Sequence, residues 1–554
     1  MFLTSRLGFT TVFFILFVLQ STFVTAQFIA TKQDHIRGKL TPLRSCFNVT
    51  YQDITVKINP TQQSVIVNNN LSFITISDCK KIQLDLAEAM HIDSVLFLGK
   101  LVPVERDSNI FFITFPFVLK KGTLHTISMF ASGKPQVAKK APWDGGFVWR
   151  KDQNGKHWVG LACEGIGASC WLPCKDHWSD EADSVSIHLQ VPSQLMGVSN
   201  GKIVGTNNLE NGYTQFDWEV RNPINNYNIS INVGDYAHIA DSYFSKPINP
   251  TAPLLLDYYV LKYNKETAET HFKQVHKMLE AFEYYFGKYP FANDGYKLVE
   301  TPYWGMEHQS CVAYGNDYKN NKWGFDFIIV HESGHEWFGN SLTANDAAEM
   351  WIHEGFTTYS EALFVEYYDK YPESVKYLLS QQANIENIQP LIGPFDVNFH
   401  ARTDNDIYYK GAWILHTLRS SINNDTLWFN ALKDFCTTFA KSNLTTADIV
   451  QFFSKRISVN LKPFFQQYLF EASLPTFEYK IETSEDGRMV MRYRWINVVK
   501  GFEMPIQVTV TKGKFETITP RKGWQLIDLN YFDEANFKIK PNSYIIKIRK
   551  IVNK

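Results

Sequence analysis

Two histidines bracket a glutamate in His331-Glu332-Ser333-Gly334-His335, a spacing suited to metal chemistry. On a helix, positions i and i+4 share one face, so both imidazoles can reach one ion while Glu332 projects beside them toward a water. The mostly apolar run from Phe325 to Val330 predicts the first part of a buried helix ahead of the motif. Nitrogen donors with a position left open for water suit zinc, and two imidazoles leave such a centre one protein ligand short. Glu354 can supply it. It falls on a predicted helix from about Ala348 to Tyr371, in which Trp351, Phe356, Tyr359 and Leu363 form apolar faces and Pro372 provides a stop. Glu361 lies two turns further along the same face, where it can orient a ligand. One zinc per chain, on His331, His335 and Glu354, is the expectation.

The elements that must position these residues are legible as three blocks. From about residue 40 to 250 the sequence alternates with period two, as in Ile54-Thr55-Val56-Lys57-Ile58 and Ile229-Ser230-Ile231-Asn232-Val233, which predicts an antiparallel β-sandwich. Near residue 264 the period changes: Phe272, Val275, Leu279, Phe282 and Phe286 recur at helical spacing, with Gly287 and Pro290 as the stop. A helix-rich domain follows, with a capping box expected at Thr445 and Asp448 and a helix over Phe464 to Phe470 that ends before Pro475. From Phe477 alternation returns, with a hairpin signal at Asp486-Gly487. The fold class is therefore multi-domain α+β: an N-terminal β-sandwich over 27–255, a helical catalytic domain over 256–475 and a small C-terminal β domain over 476–554.

The bulk composition narrows the setting. Lys and Arg total 55 against 56 for Asp and Glu, so a net charge of -1 gives no field to gather nucleic acid or an anionic membrane. Arg6, an apolar run from Val12 to Leu19, and then Val24-Thr25-Ala26 read as an export signal over 1–26, cut before Gln27. That run is shorter than the ~20 residues needed to cross a bilayer, so a secreted or periplasmic protein with no membrane attachment beyond export is expected. Seven cysteines in 554 residues do not make a disulfide scaffold, and the cluster Cys163, Cys170, Cys174 lacks paired zinc spacing, so packing is the favoured reading.

The motif segments resemble those of the gluzincin aminopeptidases, the aminopeptidase N family. The likeness rests on the zinc motif followed by Trp351-Ile352-His353-Glu354-Gly355-Phe356, on His335-Glu336-Trp337-Phe338-Gly339-Asn340, on Tyr408-Tyr409-Lys410-Gly411 and on Trp304-Gly305-Met306-Glu307-His308. The resemblance implies a thermolysin-like catalytic domain behind the β-sandwich. It is a resemblance to a short form lacking the large helical C-terminal domain of many members, so a more open cleft is expected. It also implies roles: Tyr408 for the phenol that stabilises the oxyanion, with Tyr409 the alternative pointing into helix packing, and Gly305, Met306 and Glu307 for the segment that meets the substrate. Trp304, Met306 and Tyr303 are candidate linings of the first side-chain pocket. The chain departs from the family where His308 and His353 replace Asn. Ala162 stands where a Gln normally helps hold the substrate's amino group, so that contact is lost or passed to Glu164.

The chemistry these residues could perform is peptide hydrolysis. Glu332 would move the water's proton to the leaving amine, and Glu307 would pair with a free α-ammonium and so set the cut one residue in. A zinc endopeptidase would share the metal centre but would have no use for an amine-capturing carboxylate at 307. A catalytically silent binding protein on the same fold would not need Glu332 and Tyr408 beside all three ligands.

Overall fold

The computed structural model describes residues 30–397, 402–529 and 534–552, so the expected leader over 1–26 lies outside the described residues. Among the described residues no helix is long and apolar enough to cross a membrane. The N-terminal block is built on long alternating strands. Phe47–Asn59 and Ser64–Thr75 form a hairpin in which buried residues alternate with more exposed ones along most of its length. They belong to an eight-stranded sheet that shares one core, including Ile54, Val56, Leu71, Ile82, Phe111 and Leu189, with a three-stranded and a four-stranded sheet. The expected antiparallel pairing meets an exception here: Phe47–Asn59 runs parallel to Ser184–Pro192. Ser184–Pro192 follows a long excursion through the other sheets rather than a tight turn, so it can enter in either direction.

The catalytic block opens with a mixed five-stranded sheet. In chain order its strands are β1 (Tyr236–Tyr243), β2 (Leu254–Leu261), β3 (Tyr296–Glu300), β4 (Gly305–Met306) and β5 (Val312–Tyr314). In space they run β1-β2-β3-β5-β4, which puts β4 at the edge beside the site. The division expected at 255 falls inside this sheet, because β1 and the start of β2 already belong to it. Alternation cannot reveal the boundary where one domain ends and the next begins with strands.

Behind the sheet lie α1 (Gln274–Phe286), α2 (Phe327–Gly334), α3 (Trp351–Asp369), α4 (Tyr371–Gln382) and α5 (Asp406–Ile422). The helix expected to end at Pro372 stops at Asp369 instead. Lys370 takes φ 76°, and Pro372 sits in the first turn of α4, where its missing N–H costs nothing. Helices α3 and α5 cross with bare backbone in contact: a Cβ on Gly411 would lie 2.7 Å from the Gly355 Cα. The capping box at Thr445 and Asp448 is present on the helix Thr446–Ile457.

The C-terminal strands start at Thr476 and form a four-stranded sheet with a separate hairpin, Ile506–Thr511 with Lys514–Ile518. They are not independent of the helices, since Phe477, Trp495 and Val508 share a core with Trp413 and Leu418 of α5. Ile545 N–H donates to Thr417 Oγ1 at 3.0 Å, tying this block to α5 directly. All seven cysteines are buried free thiols, with the Cys163 and Cys170 sulfurs 3.6 Å apart.

Candidate metal centre

Asp326 caps α2 by accepting the Ile328 N–H at 3.0 Å, and the helix carries His331 and Glu332 into the interior with His335 at its C-terminal cap. The His331 and His335 Nε2 atoms lie 3.3 Å apart, and Glu354 Oε2 from α3 lies 3.6 Å and 3.5 Å from them. A tetrahedral zinc with ligands about 2.0–2.1 Å away spaces its donors about 3.3–3.4 Å apart, so this triangle fits the ion. Glu354 Oε2 is buried and has no hydrogen-bond donor, as expected of an oxygen reserved for a metal.

Each imidazole is oriented from behind. His331 Nδ1 donates to Glu361 Oε1 at 2.7 Å, and the other oxygen of Glu361 accepts from Tyr377 Oη at 2.6 Å and Gln381 Nε2 at 3.0 Å. His335 Nδ1 faces the Phe338 carbonyl at 2.9 Å and Glu307 Oε2 at 3.0 Å. With their protons on Nδ1, both rings present an Nε2 lone pair to the centre.

Around the triangle runs a cavity of about 410 Å³, lined among others by Glu164, Gly305, Met306, Glu307, Glu332 and Tyr408. Burial raises the Glu332 carboxyl to about 7 against the pull of His331 and His335, a value suited to carrying a proton in either direction. A Cβ on Gly305 would come within 2.5 Å of Glu332 Oε1, so glycine lets β4 run this close without pushing that carboxylate aside. Burial, then the charges of Glu354 and Glu164, raise the Tyr408 phenol well above its ordinary range. Tyr409 also lines the cavity rather than the helix packing, but the carboxylate it faces is Glu361.

Two further carboxylates stand at the Glu307 end of β4. Glu307 is 2% exposed, and its Oε1 accepts from Tyr227 Oη at 2.5 Å. Burial works to raise its carboxyl, but His335 and His353 together hold it below the usual range. Glu164 is the less committed of the two: its Oε1 has no partner. Burial, then the charges of Glu307, Glu354 and Glu332, raise it well above the usual range. Glu164, Glu307 and His353 come within 4.8 Å of one another, the spacing of a second metal group. That reading fails on the ring: His353 Nε2 accepts the Ala344 N–H at 2.9 Å, so its neutral form carries the proton on Nδ1, which points toward Glu307 Oε1 at 3.6 Å. With that proton in place Nδ1 offers no lone pair to an ion, and it has no hydrogen-bond partner of its own.

The structure thus gathers His331, Glu332, His335, Glu354, Tyr408, Glu307, Gly305, Met306 and Glu164 around one cavity. Tyr303 is not among them: its ring fills the space over Gly160 and its hydroxyl donates to the Leu161 carbonyl at 2.7 Å. His308 and Ala162 are fully buried away from the cavity, and both His308 nitrogens lack partners, burial lowering its pKa to about 4. Tyr227 and Trp143 escaped sequence reasoning because each comes from the β-sandwich domain with no motif around it.

The arrangement has the parts that a metal-dependent hydrolase of the gluzincin type would need, two histidines and a glutamate to hold an ion and a free glutamate beside them. Residues 270–468 match the model of the peptidase family M1 domain. It is similar to "Probable aminopeptidase 1" of Sulfurisphaera tokodaii, 21% identical over 84% of this chain and 58% of that protein. It is also similar to "Leucine aminopeptidase 2" of Candida glabrata, 25% identical over 60% of this chain and 52% of that one. The chain therefore spans little more than half of these relatives. The M1 zinc metallopeptidase of Deinococcus radiodurans, solved as a mutant with a Tyr-Ser-Ala substrate bound, shares the fold. It superposes with a TM-score of 0.65 at 20% identity, over 78% of this chain and 96% of that one.

Proposed function

We propose that this protein is a zinc-dependent aminopeptidase that removes residues from the free N-termini of peptides, exported by a leader ending at Ala26 to a secreted or periplasmic location. His331, His335 and Glu354 would hold the metal. When bound, zinc supplies Lewis-acid chemistry, polarising the scissile carbonyl and making a water more acidic. Glu332 takes the proton from the attacking water and returns it to the leaving amine. Tyr408 donates a hydrogen bond to the carbonyl oxygen as negative charge grows on it.

The edge strand β4 gives the substrate its direction. Its outer side pairs with no other strand among the described residues, so an extended peptide can pair along it. Gly305 lies against Glu332, which sets the place of the cut, and Glu307 marks the end where the peptide begins. The observation that carries the exopeptidase reading is the pair Glu164 and Glu307 at that end, with Glu164 Oε1 buried and unpartnered. A substrate ammonium satisfies that oxygen and relieves the repulsion among the carboxylates.

The test compares kcat/KM for one peptide with a free and an acetylated N-terminus, before and after chelation. The free peptide should be strongly preferred and chelation should abolish turnover. Equal rates on the two would move the protein to the endopeptidase class.

A further inference from the structure

A row of aromatic rings leads from the metal centre to solvent. Phe327 stacks on His331 with centroids 5.2 Å apart and planes at 21°, and Trp304 stacks on Phe327 at 5.5 Å and 23°. Trp143, from the β-sandwich domain, stands 6.3 Å beyond Trp304. Both indoles border the cavity, yet Trp304 is 43% exposed and Trp143 is 65% exposed. Large rings left in water beside a catalytic cavity contribute little to folding and offer apolar surface to a ligand.

The shelf is held in place. Trp304 Nε1 donates to Asn316 Oδ1 at 3.0 Å. The Trp143 loop is tied by Asp144, which accepts the Lys139 and Lys140 N–H groups at 2.6 Å and 2.8 Å. Its position along the substrate follows from β4. Glu307 marks the ammonium end and Gly305 the cut, so Trp304 lies past the cut, next to the part of the peptide that departs. This removes Trp304 from the pocket for the first side chain, where sequence reasoning placed it.

Resting on the aminopeptidase reading, we infer that Trp143, Trp304 and Phe327 form a subsite for an aromatic or bulky apolar side chain on the residue that follows the scissile bond. The preferred substrates are then peptides whose second residue is of that kind. An apolar side chain meeting a fitted apolar surface typically discriminates by about 10- to 200-fold, and an open shelf belongs at the lower end.

The experiment uses the full-length zinc-loaded protein with the tripeptides Ala-Phe-Ala and Ala-Ala-Ala, release of N-terminal alanine being followed by chromatography. The parent should prefer Ala-Phe-Ala by about tenfold in kcat/KM, mainly through KM. Trp143→Ala, a surface change, should collapse that ratio to within about threefold, and Trp143→Phe should restore most of it. Equal kcat/KM for the two peptides in the parent, or an equal loss on both in Trp143→Ala, overturns the subsite while leaving the aminopeptidase reading in place. Cleavage of neither peptide sinks both.

Discussion

Glu361 offers a sharp test of how the metal centre is held, because it touches the metal only through His331. Its Oε1 accepts the His331 Nδ1 proton at 2.7 Å, and the residue is 1% exposed. A buried hydrogen bond to a charged partner is worth about 1.5–3 kcal/mol and a neutral one about 0.5–1.5 kcal/mol. Glu361→Gln keeps the shape and an acceptor oxygen but removes the charge. About 1–1.5 kcal/mol of ligand basicity and orientation is lost, or roughly 5- to 13-fold in zinc affinity. Glu361→Ala also strands Tyr377 Oη and Gln381 Nε2, which donate to the other oxygen, so about 10- to 100-fold is expected. Competition for zinc against a chelating dye at fixed pH measures both constants, with circular dichroism confirming the fold. Equal affinity in parent, Gln and Ala proteins would refute the argument that this carboxylate tunes the ligand.

Three further outcomes are expected. Glu332→Gln should retain stoichiometric zinc by atomic absorption, since Glu332 is not a ligand, yet turn over at least ~100-fold more slowly. Tyr408→Phe should lower kcat with little change in KM, whereas Tyr409→Phe should act mainly on zinc affinity through Glu361; steady-state kinetics with the reverse pattern would show that the wrong phenol has been chosen. His188 lies 3.0 Å from Asp53 and 2.5 Å from Asp217, and its hydrogen bond to Asp53, more than that to Asp217, raises it to about 9 despite partial burial. The folded state favours the charged ring, so this stabilisation is complete below the unfolded value of about 6.5 and fades as pH rises through about 9. Thermal melts of His188→Gln should therefore show a loss of Tm near pH ~6 that shrinks above pH ~9.

The metal centre was legible in the sequence because its physics is local. His331 and His335 share a helical face by spacing alone, and Glu361 follows Glu354 along one face of α3. The long-range partners were not. Tyr227 meets Glu307 across 80 positions of chain, and no period or composition in its neighbourhood announces a contact made by domain docking. Pro372 misled because a proline ends one helix and begins another with equal ease; only the positive φ of Lys370 tells the cases apart. Tyr303 misled because an aromatic next to a motif is as apt to fill a core as to line a pocket.

The crossing at Gly355 and Gly411 has a consequence for how this protein can diversify. Glu354 directly precedes one of these glycines, and Tyr408 stands one turn before the other. The thickness of the contact, set by bare backbone, therefore fixes the reach between the third ligand and the phenol. Any side chain at either glycine would wedge the helices apart and move both groups together, so drift in the sequence of α3 and α5 is policed at a single point. Variation has freer ground on the Trp143 loop and in the stretch around Pro394 that borders the cavity, neither of which bears on that spacing. Changes of substrate preference should accumulate there, on a reaction centre whose dimensions stay constant.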